Sequence, residues 1–108
     1  MTNNSKMAEK LSFKELINSD TPVLIDFFAT WCGPCKAYAP ILQKLKSEMG
    51  DDMRLVKIDV DRNRAIVEKL GIQSMPTTII FQNGEIKFRE AGVQSIGVLK
   101  SEIAKLVG

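Results

Sequence analysis

The two cysteines of this chain lie two residues apart in the stretch FFATWCGPCKAYAP, residues 27 to 40. The same stretch holds the single tryptophan, Trp31, and the chain contains no histidine. Thiols at Cys32 and Cys35 can exchange with a disulfide, form a structural disulfide, share a metal ion, or stay inert. The elements that position the two sulfur atoms decide between these chemistries.

The cysteine pair lies where the pattern of apolar residues changes from that of a strand to that of a helix. Before it, VLIDFFA is apolar at almost every position, which predicts a central strand covered by helices on both faces. After Gly33 and Pro34, apolar residues recur at helical spacing as far as Gly50, which predicts a long helix. Cys32 therefore precedes a helix N-terminus, where free N–H groups and the helix dipole lower the pKa of a thiol.

This placement predicts different roles for the two sulfurs. We expect Cys32 to be exposed at the loop tip and Cys35, one turn into the helix, to be partly buried. Cys32 would then attack a substrate disulfide, and Cys35 would resolve the mixed disulfide. Pro34 suits the first helical turn, because its missing N–H costs no hydrogen bond there, and it stiffens the loop.

Three other interpretations of the cysteines are open. A structural disulfide closing so short a loop would contribute only about 2 kcal/mol. A closed zinc site needs four ligands, so it would have to be shared between two chains. Two inert buried thiols are the third alternative. A C-x-x-C pair at a strand-to-helix junction favours redox chemistry over all three.

The remaining elements are read from caps, turns and periodicity. Ser12 and Glu15 form a capping box that opens a first helix. MRLVKIDV predicts a second strand, and RNRAIVEKLGI predicts a helix ended by Gly71. Asn83-Gly84 joins TTIIFQ to EIKFRE in a β-hairpin. A last amphipathic helix is predicted from Val98, Leu99, Ile103, Leu106 and Val107.

These elements predict a single α/β domain over residues 1–108, with a mixed sheet flanked by helices on both faces. The segment in which strands alternate with helices implies parallel strands, and the hairpin adds an antiparallel edge. Residues 1–10 are polar, and we expect them to be a frayed tail or a weak edge strand.

Charge and composition exclude several classes of function. The net charge is +2, and its 15 basic and 13 acidic residues are scattered, so nucleic acid is not an expected partner. No apolar run is long enough to span a membrane. MTNNSKMAEK lacks the apolar core of a secretory signal, so we expect a cytoplasmic protein. In that reducing compartment, a close cysteine pair is typically catalytic or metal-binding.

Asp26 interrupts the apolar strand before the cysteines. Burial of an unpaired carboxylate raises its pKa towards neutrality. Because the chain has no histidine, Asp26 is the leading candidate to take the proton from Cys35, through a water molecule. The alternative is an aspartate that finds local hydrogen-bond partners and only shapes the fold.

The motif W-C-G-P-C-K, followed later by M-P-T, resembles the thioredoxin family, and the similarity extends from Phe13 to Val107. The resemblance implies a thioredoxin fold with four or five strands. It also implies a monomeric reductase of protein disulfides that binds no cofactor or metal itself. The resemblance further implies recycling by a thioredoxin reductase that uses FAD and NADPH.

The resemblance also implies roles for single residues. It places Lys57 beside Asp26, where the ammonium group would lower the carboxyl pKa; the alternative is a solvated lysine on a sheet edge. It places Trp31 over the active-site loop as part of a docking surface; the alternative is an ordinary core tryptophan.

A substrate-docking patch follows from the same resemblance. Met75-Pro76 resembles a cis-proline turn that presses against the cysteine pair and leaves the Met75 backbone free to pair with an extended substrate. Around Cys32, the resemblance implies an uncharged patch formed by Gly33, Met75, Pro76, Gly92 and Val93.

Two functional alternatives come from the same fold. An oxidant or isomerase usually carries a histidine between its cysteines, whereas Gly33-Pro34 favours a reductant. A non-catalytic binding subunit would not need either thiol.

Overall fold

The structure, a computed structural model, describes residues 12–108. The first edge strand considered for residues 1–10 therefore lies outside the described residues. The elements follow the predicted order: α1 (Phe13–Ile17), β1 (Val23–Phe28), α2 (Gly33–Met49), β2 (Arg54–Asp59), α3 (Arg64–Leu70), β3 (Thr77–Gln82), β4 (Glu85–Ala91) and α4 (Ile96–Ala104).

The strands of the described residues form one mixed sheet in the order β2-β1-β3-β4. β1 and β2 are parallel, while β3 runs antiparallel to both β1 and β4. The prediction that β1 is a central strand is confirmed. The hairpin adds an antiparallel edge to the sheet, as expected: β3 is an inner strand, and β4 lies at the edge opposite β2.

The alternation of side chains along β1 divides the core into two layers. Val23, Ile25 and Phe27 are fully buried on the face covered by α1 and α3. Leu24 is buried on the other face, among side chains of α2 and α4. Asp26 follows Leu24 by two residues and therefore lies on the same face of the sheet, so its carboxylate points towards the layer formed by α2.

The local signals at the beginnings and ends of the helices and strands are confirmed. Ser12 and Glu15 form both hydrogen bonds of the capping box. Gly71 follows α3 in the left-handed conformation, with φ 66°. Asn83 and Gly84 have φ values of 52° and 81°, as a two-residue hairpin turn with two positive φ angles requires.

The last helix is shorter than its apolar pattern predicts. It ends at Ala104, and Leu106 and Val107 lie beyond it. Leu99 and Ile103 form the buried stripe against α2, whereas Val98 is 44% exposed because it lies beside that stripe.

None of the helices between residues 12 and 108 has both the length and the apolar character needed to cross a bilayer.

Two isoleucines of the hairpin test where the core lies. Ile80 of β3 is 0% exposed, and Ile86 of β4 is 47% exposed. We expect Ile80→Ala to lower the free energy of unfolding by about 2–5 kcal/mol, because it removes buried methyl groups and leaves a cavity. Ile86→Ala is the matched control and should lower it by less than about 1 kcal/mol. Chemical denaturation of the oxidised proteins measures both, and equal losses would contradict this assignment of the core.

Candidate active site

The junction between β1 and α2 holds the cysteine pair at the start of the helix. Cys32 is the N-cap residue of α2, and its Sγ accepts a hydrogen bond of 3.1 Å from the N–H of Cys35. The N–H of Cys32 donates to the carbonyl oxygen of Ala29 at 3.2 Å, which closes the turn after the strand. Pro34 lies in the first turn of the helix, as predicted. The sulfur of Cys32 thus occupies the positive end of the helix dipole.

Cys32 and Cys35 form a disulfide, with their Cα atoms 5.3 Å apart, so the interpretation as two inert thiols is wrong. Both residues are only 5% exposed, and the expectation that Cys32 is the exposed cysteine is wrong in this oxidised form. The reason is contact from two sides: Cys32 Sγ is bonded to Cys35 and lies 3.5 Å from the carbonyl oxygen of Met75. The two sulfurs differ instead in hydrogen bonding, because it is Cys32 Sγ that accepts the helix N–H.

The described part of the chain brings no further metal ligands to the cysteine pair. Within residues 12–108, the structure brings together no group of three or more histidine, cysteine, aspartate or glutamate side chains that could hold a metal ion.

The turn before β3 brings Met75 to the disulfide and bonds to the segment that carries Gly92 and Val93. The Met75–Pro76 peptide bond is cis, and the N–H of Gly92 donates to the carbonyl oxygen of Pro76 at 2.7 Å. Gly92 has φ 88°, a conformation that favours glycine. Val93, next to it, is 44% exposed. The Met75 backbone therefore lies against Cys32, and Gly92 is bonded to the neighbouring Pro76.

Trp31 lies on the surface beside the disulfide. It is 67% exposed, so the interpretation as an ordinary core residue is wrong. Its Nε1 donates a hydrogen bond of 2.9 Å to Oδ2 of Asp61. Asp61 was not predicted from the sequence, because only the register of β1 and β2 brings it to Trp31. Phe28 and Asp59 pair at the ends of the parallel strands β1 and β2, so residues just beyond both ends must meet.

Asp26 is fully buried in the strand that leads to the cysteines. Neither carboxylate oxygen has a hydrogen-bond partner among the described residues, so the alternative of an aspartate satisfied by local hydrogen bonds finds no support in the structure. The nearest cation is Nζ of Lys57, 3.8 Å from Oδ2. Lys57 is the register partner of Asp26 on the edge strand β2, and its side chain is 40% exposed. The ammonium group thus lies beside the aspartate, as the resemblance implies, and also reaches solvent.

Burial and charge act on Asp26 in opposite directions. Burial raises the pKa of its carboxyl from 3.8 to about 6, and the Lys57 ammonium partly offsets the rise. The carboxyl group therefore exchanges its proton close to neutral pH, which is a property that a general base requires.

A cleft connects the helix with this part of the sheet. Its volume is ≈ 250 Å³, and its lining includes Cys35, Lys36 and Lys57 together with Phe28. Cys35 and the cation beside Asp26 therefore border one solvent-accessible space.

Comparisons with known proteins agree with this geometry. The family model for thioredoxin matches residues 4–105. A thioredoxin of Rickettsia felis is 40% identical over 94 residues, which cover 87% of this chain and 90% of that protein. A bifunctional thioredoxin reductase/thioredoxin of Mycobacterium leprae is 38% identical over 95 residues, which cover 88% of this chain and 21% of that protein.

Among solved structures, the oxidised form of mitochondrial thioredoxin 3 from Saccharomyces cerevisiae superposes with a TM-score of 0.77 at 34% identity. The match covers 92% of this chain and 89% of that one. The fold of the described residues is therefore the thioredoxin fold, as the resemblance implies.

The buried carboxylate has a measurable effect on stability. Because the pKa of Asp26 is higher in the folded protein than in the unfolded chain, ionisation destabilises the fold. This penalty is absent below about pH 4, grows as the pH rises to about 6, and is complete above that. Relative to Asp26→Asn, the oxidised parent should lose up to about 3 kcal/mol of unfolding free energy between pH 4 and pH 7.5.

Denaturation curves across this pH range measure the difference, with Asp51→Asn as a control for the removal of one surface carboxylate. A difference between the parent and Asp26→Asn that does not change with pH would contradict the assignment of a raised pKa to Asp26.

Proposed function

This chain belongs to the thioredoxin family and is a thiol–disulfide oxidoreductase that reduces protein disulfides, and we propose that Cys32 attacks the substrate while Cys35 resolves the mixed disulfide. The hydrogen bond from the N–H of Cys35 to Cys32 Sγ carries this proposal. When the disulfide is reduced, a thiolate at Cys32 receives the same N–H and the same helix dipole, and both stabilise its charge.

The reaction then consists of two exchanges. The Cys32 thiolate forms a bond to one substrate sulfur, and the other substrate sulfur leaves as a thiolate. The Cys35 thiol next gives its proton to the carboxylate of Asp26. The resulting Cys35 thiolate bonds to Cys32 Sγ, the bond between Cys32 and the substrate breaks, and the second substrate thiolate leaves. Two electrons pass to the substrate, and the protein is left with its disulfide.

Asp26 is the proposed general base for the second exchange. Its support is a pKa of about 6 together with full burial on the α2 side of the sheet. Lys57 has the opposing role, because its charge keeps that pKa from rising further. The cleft between Cys35 and Lys57 has room for a water molecule through which the proton can move.

The proposed docking surface surrounds Cys32. Trp31 offers an exposed aromatic face that Asp61 holds in place. The backbone of Met75 is available to an extended substrate segment, and Gly92 and Val93 form the opposite border. Trp31, Met75, Gly92 and Val93 carry no formal charge, which suits many flexible protein substrates.

The proposed electron donor is a thioredoxin reductase that carries FAD and takes electrons from NADPH. The relative in Mycobacterium leprae supports this partner, because its name joins both activities in one polypeptide. We place the protein in the cytoplasm as a monomer, and the bacterial relatives support this compartment.

Single cysteine variants separate the two roles. Cys35→Ser should form a stable mixed disulfide with a substrate protein, because the nucleophile remains and the resolving thiol is gone. Cys32→Ser should form none under the same conditions. Non-reducing electrophoresis followed by mass spectrometry measures the trapped complex and identifies the cysteine that forms it.

The double variant Cys32→Ser/Cys35→Ser is the control for binding without chemistry. It should lose all disulfide-reducing activity, whereas retained biological activity would point to a binding subunit. Trapping by Cys32→Ser instead of Cys35→Ser would reverse the assignment of the two roles.

A further inference from the structure

A hydrogen bond between two buried hydroxyl groups lies close to the active site and has no part in the steps above. Tyr38 OH and Thr78 Oγ1 are 2.7 Å apart, and both residues are 0% exposed. Tyr38 follows Cys35 by one helical turn, so both side chains lie on the face of α2 that packs on the sheet. A core built only for packing would place apolar side chains at both positions.

The sheet register places Thr78 next to the buried carboxylate. Asp26 pairs with Thr78 across the antiparallel strands β1 and β3, and with Lys57 across the parallel strands β1 and β2. Directly paired side chains of antiparallel strands lie on one face with their Cβ atoms about 4.5–5.5 Å apart. Asp26 is therefore flanked by an ammonium group on one side and by a hydroxyl group on the other.

The groups that face Asp26 come from several elements. β2 provides Lys57 and α2 provides Tyr38, while Cys35 borders the cleft that Lys57 also lines. β3 provides Thr78, which in turn pairs with Glu90 of β4. α4 contributes apolar side chains to this layer, Leu99 and Ile103.

The charge of Asp26 reaches the hydroxyl pair. Burial raises the pKa of Tyr38, the bond to Thr78 lowers it, and the negative charge of Asp26 raises it again. The hydroxyl pair therefore lies within electrostatic reach of the carboxylate, and a hydroxyl dipole whose hydrogen faces a carboxylate favours its charged form.

We propose that Tyr38 and Thr78 form a positioning pair whose hydroxyl dipoles stabilise the charged form of Asp26 from the flank opposite Lys57. Two hydroxyl groups that share one hydrogen bond keep a second hydrogen free. If Tyr38 donates, the free hydrogen belongs to Thr78, the direct neighbour of Asp26. The tyrosine fixes this arrangement from the helix that also carries Cys35.

The consequence for the reaction rests on the proposed function of Asp26 as the general base. The carboxylate must be charged before it can take the Cys35 proton. A pair that favours the charged form therefore extends the resolving step to lower pH. Lys57 favours the charged form of Asp26 with an ammonium group that is partly solvated. The hydroxyl pair favours it from within the buried layer between α2 and the sheet.

The test removes both hydroxyl groups at once, in Tyr38→Phe/Thr78→Val. Loss of both partners leaves no unpaired buried hydroxyl group, so this variant should fold. Thr77→Val is the matched control, because Thr77 is the adjacent buried threonine and its hydroxyl bonds to the carbonyl oxygen of Ser74. The measurement is the titration of the Asp26 carboxyl carbon by NMR in the oxidised proteins, where the cysteines do not titrate.

We expect the Asp26 midpoint to move up by about half a pH unit or more in the double variant and to stay within about 0.2 of the parent in Thr77→Val. An unchanged or lower midpoint in the double variant would overturn the proposal. An equal rise in Thr77→Val would also overturn it, because the effect would then be a general result of losing a buried hydroxyl group.

A second readout separates this proposal from the general-base role. The pH at which the resolving step reaches half of its maximal rate should rise with the NMR midpoint, and this dependence should vanish when Asp26 is replaced by Asn. If the NMR midpoint rises as expected but Asp26→Asn leaves the resolving step unchanged, the positioning pair stands and the general-base role fails.

Discussion

The chemistry of this protein depends on one hydrogen bond, from the backbone N–H of Cys35 to Cys32 Sγ. That bond exists because a strand ends and a helix begins within four residues, so that a sulfur replaces the oxygen that usually caps a helix. The helix dipole and the free N–H groups then favour negative charge at Cys32. The sheet, both helical layers and the turn before β3 serve to hold this junction in place.

The strand β1 joins the stability of the fold to its function. It is an inner strand whose apolar side chains enter both core layers, and it carries one carboxylate into the same interior. An apolar side chain in place of Asp26 would pack without an electrostatic penalty. The protein keeps a destabilising group there, and its burial gives the carboxyl a pKa at which protons move near neutral pH. Lys57 on one flank and the Tyr38–Thr78 pair on the other limit that penalty.

Much of this arrangement is predictable from local sequence. The caps, the Asn83-Gly84 turn and the change of hydrophobic period each depend on a few neighbouring residues, so the element order and the position of Cys32 could be derived. The resemblance then supplied Lys57 and the cis bond before Pro76, which depend on contacts between distant segments. The exposure of Cys32 was predicted wrongly, because its cover comes from Met75, which is distant in sequence and approaches only in the folded chain. Asp61 and Thr78 were missed because register between strands brings them to the site, and β1 is apolar on both faces, so it lacks the alternation that helps to specify register.

The reduction potential of the Cys32–Cys35 pair tests the central claim most directly, because a thiol–disulfide exchanger of this fold can either reduce or oxidise its partners. The protein would be equilibrated in graded dithiol buffers and followed by the fluorescence of Trp31, with thiol trapping as an independent readout. The account predicts a potential more negative than that of the cytosolic glutathione pool, about −220 to −260 mV by extraction. A potential well above that range would mean that the protein oxidises its partners, and it would contradict both the direction of electron flow and the compartment proposed here.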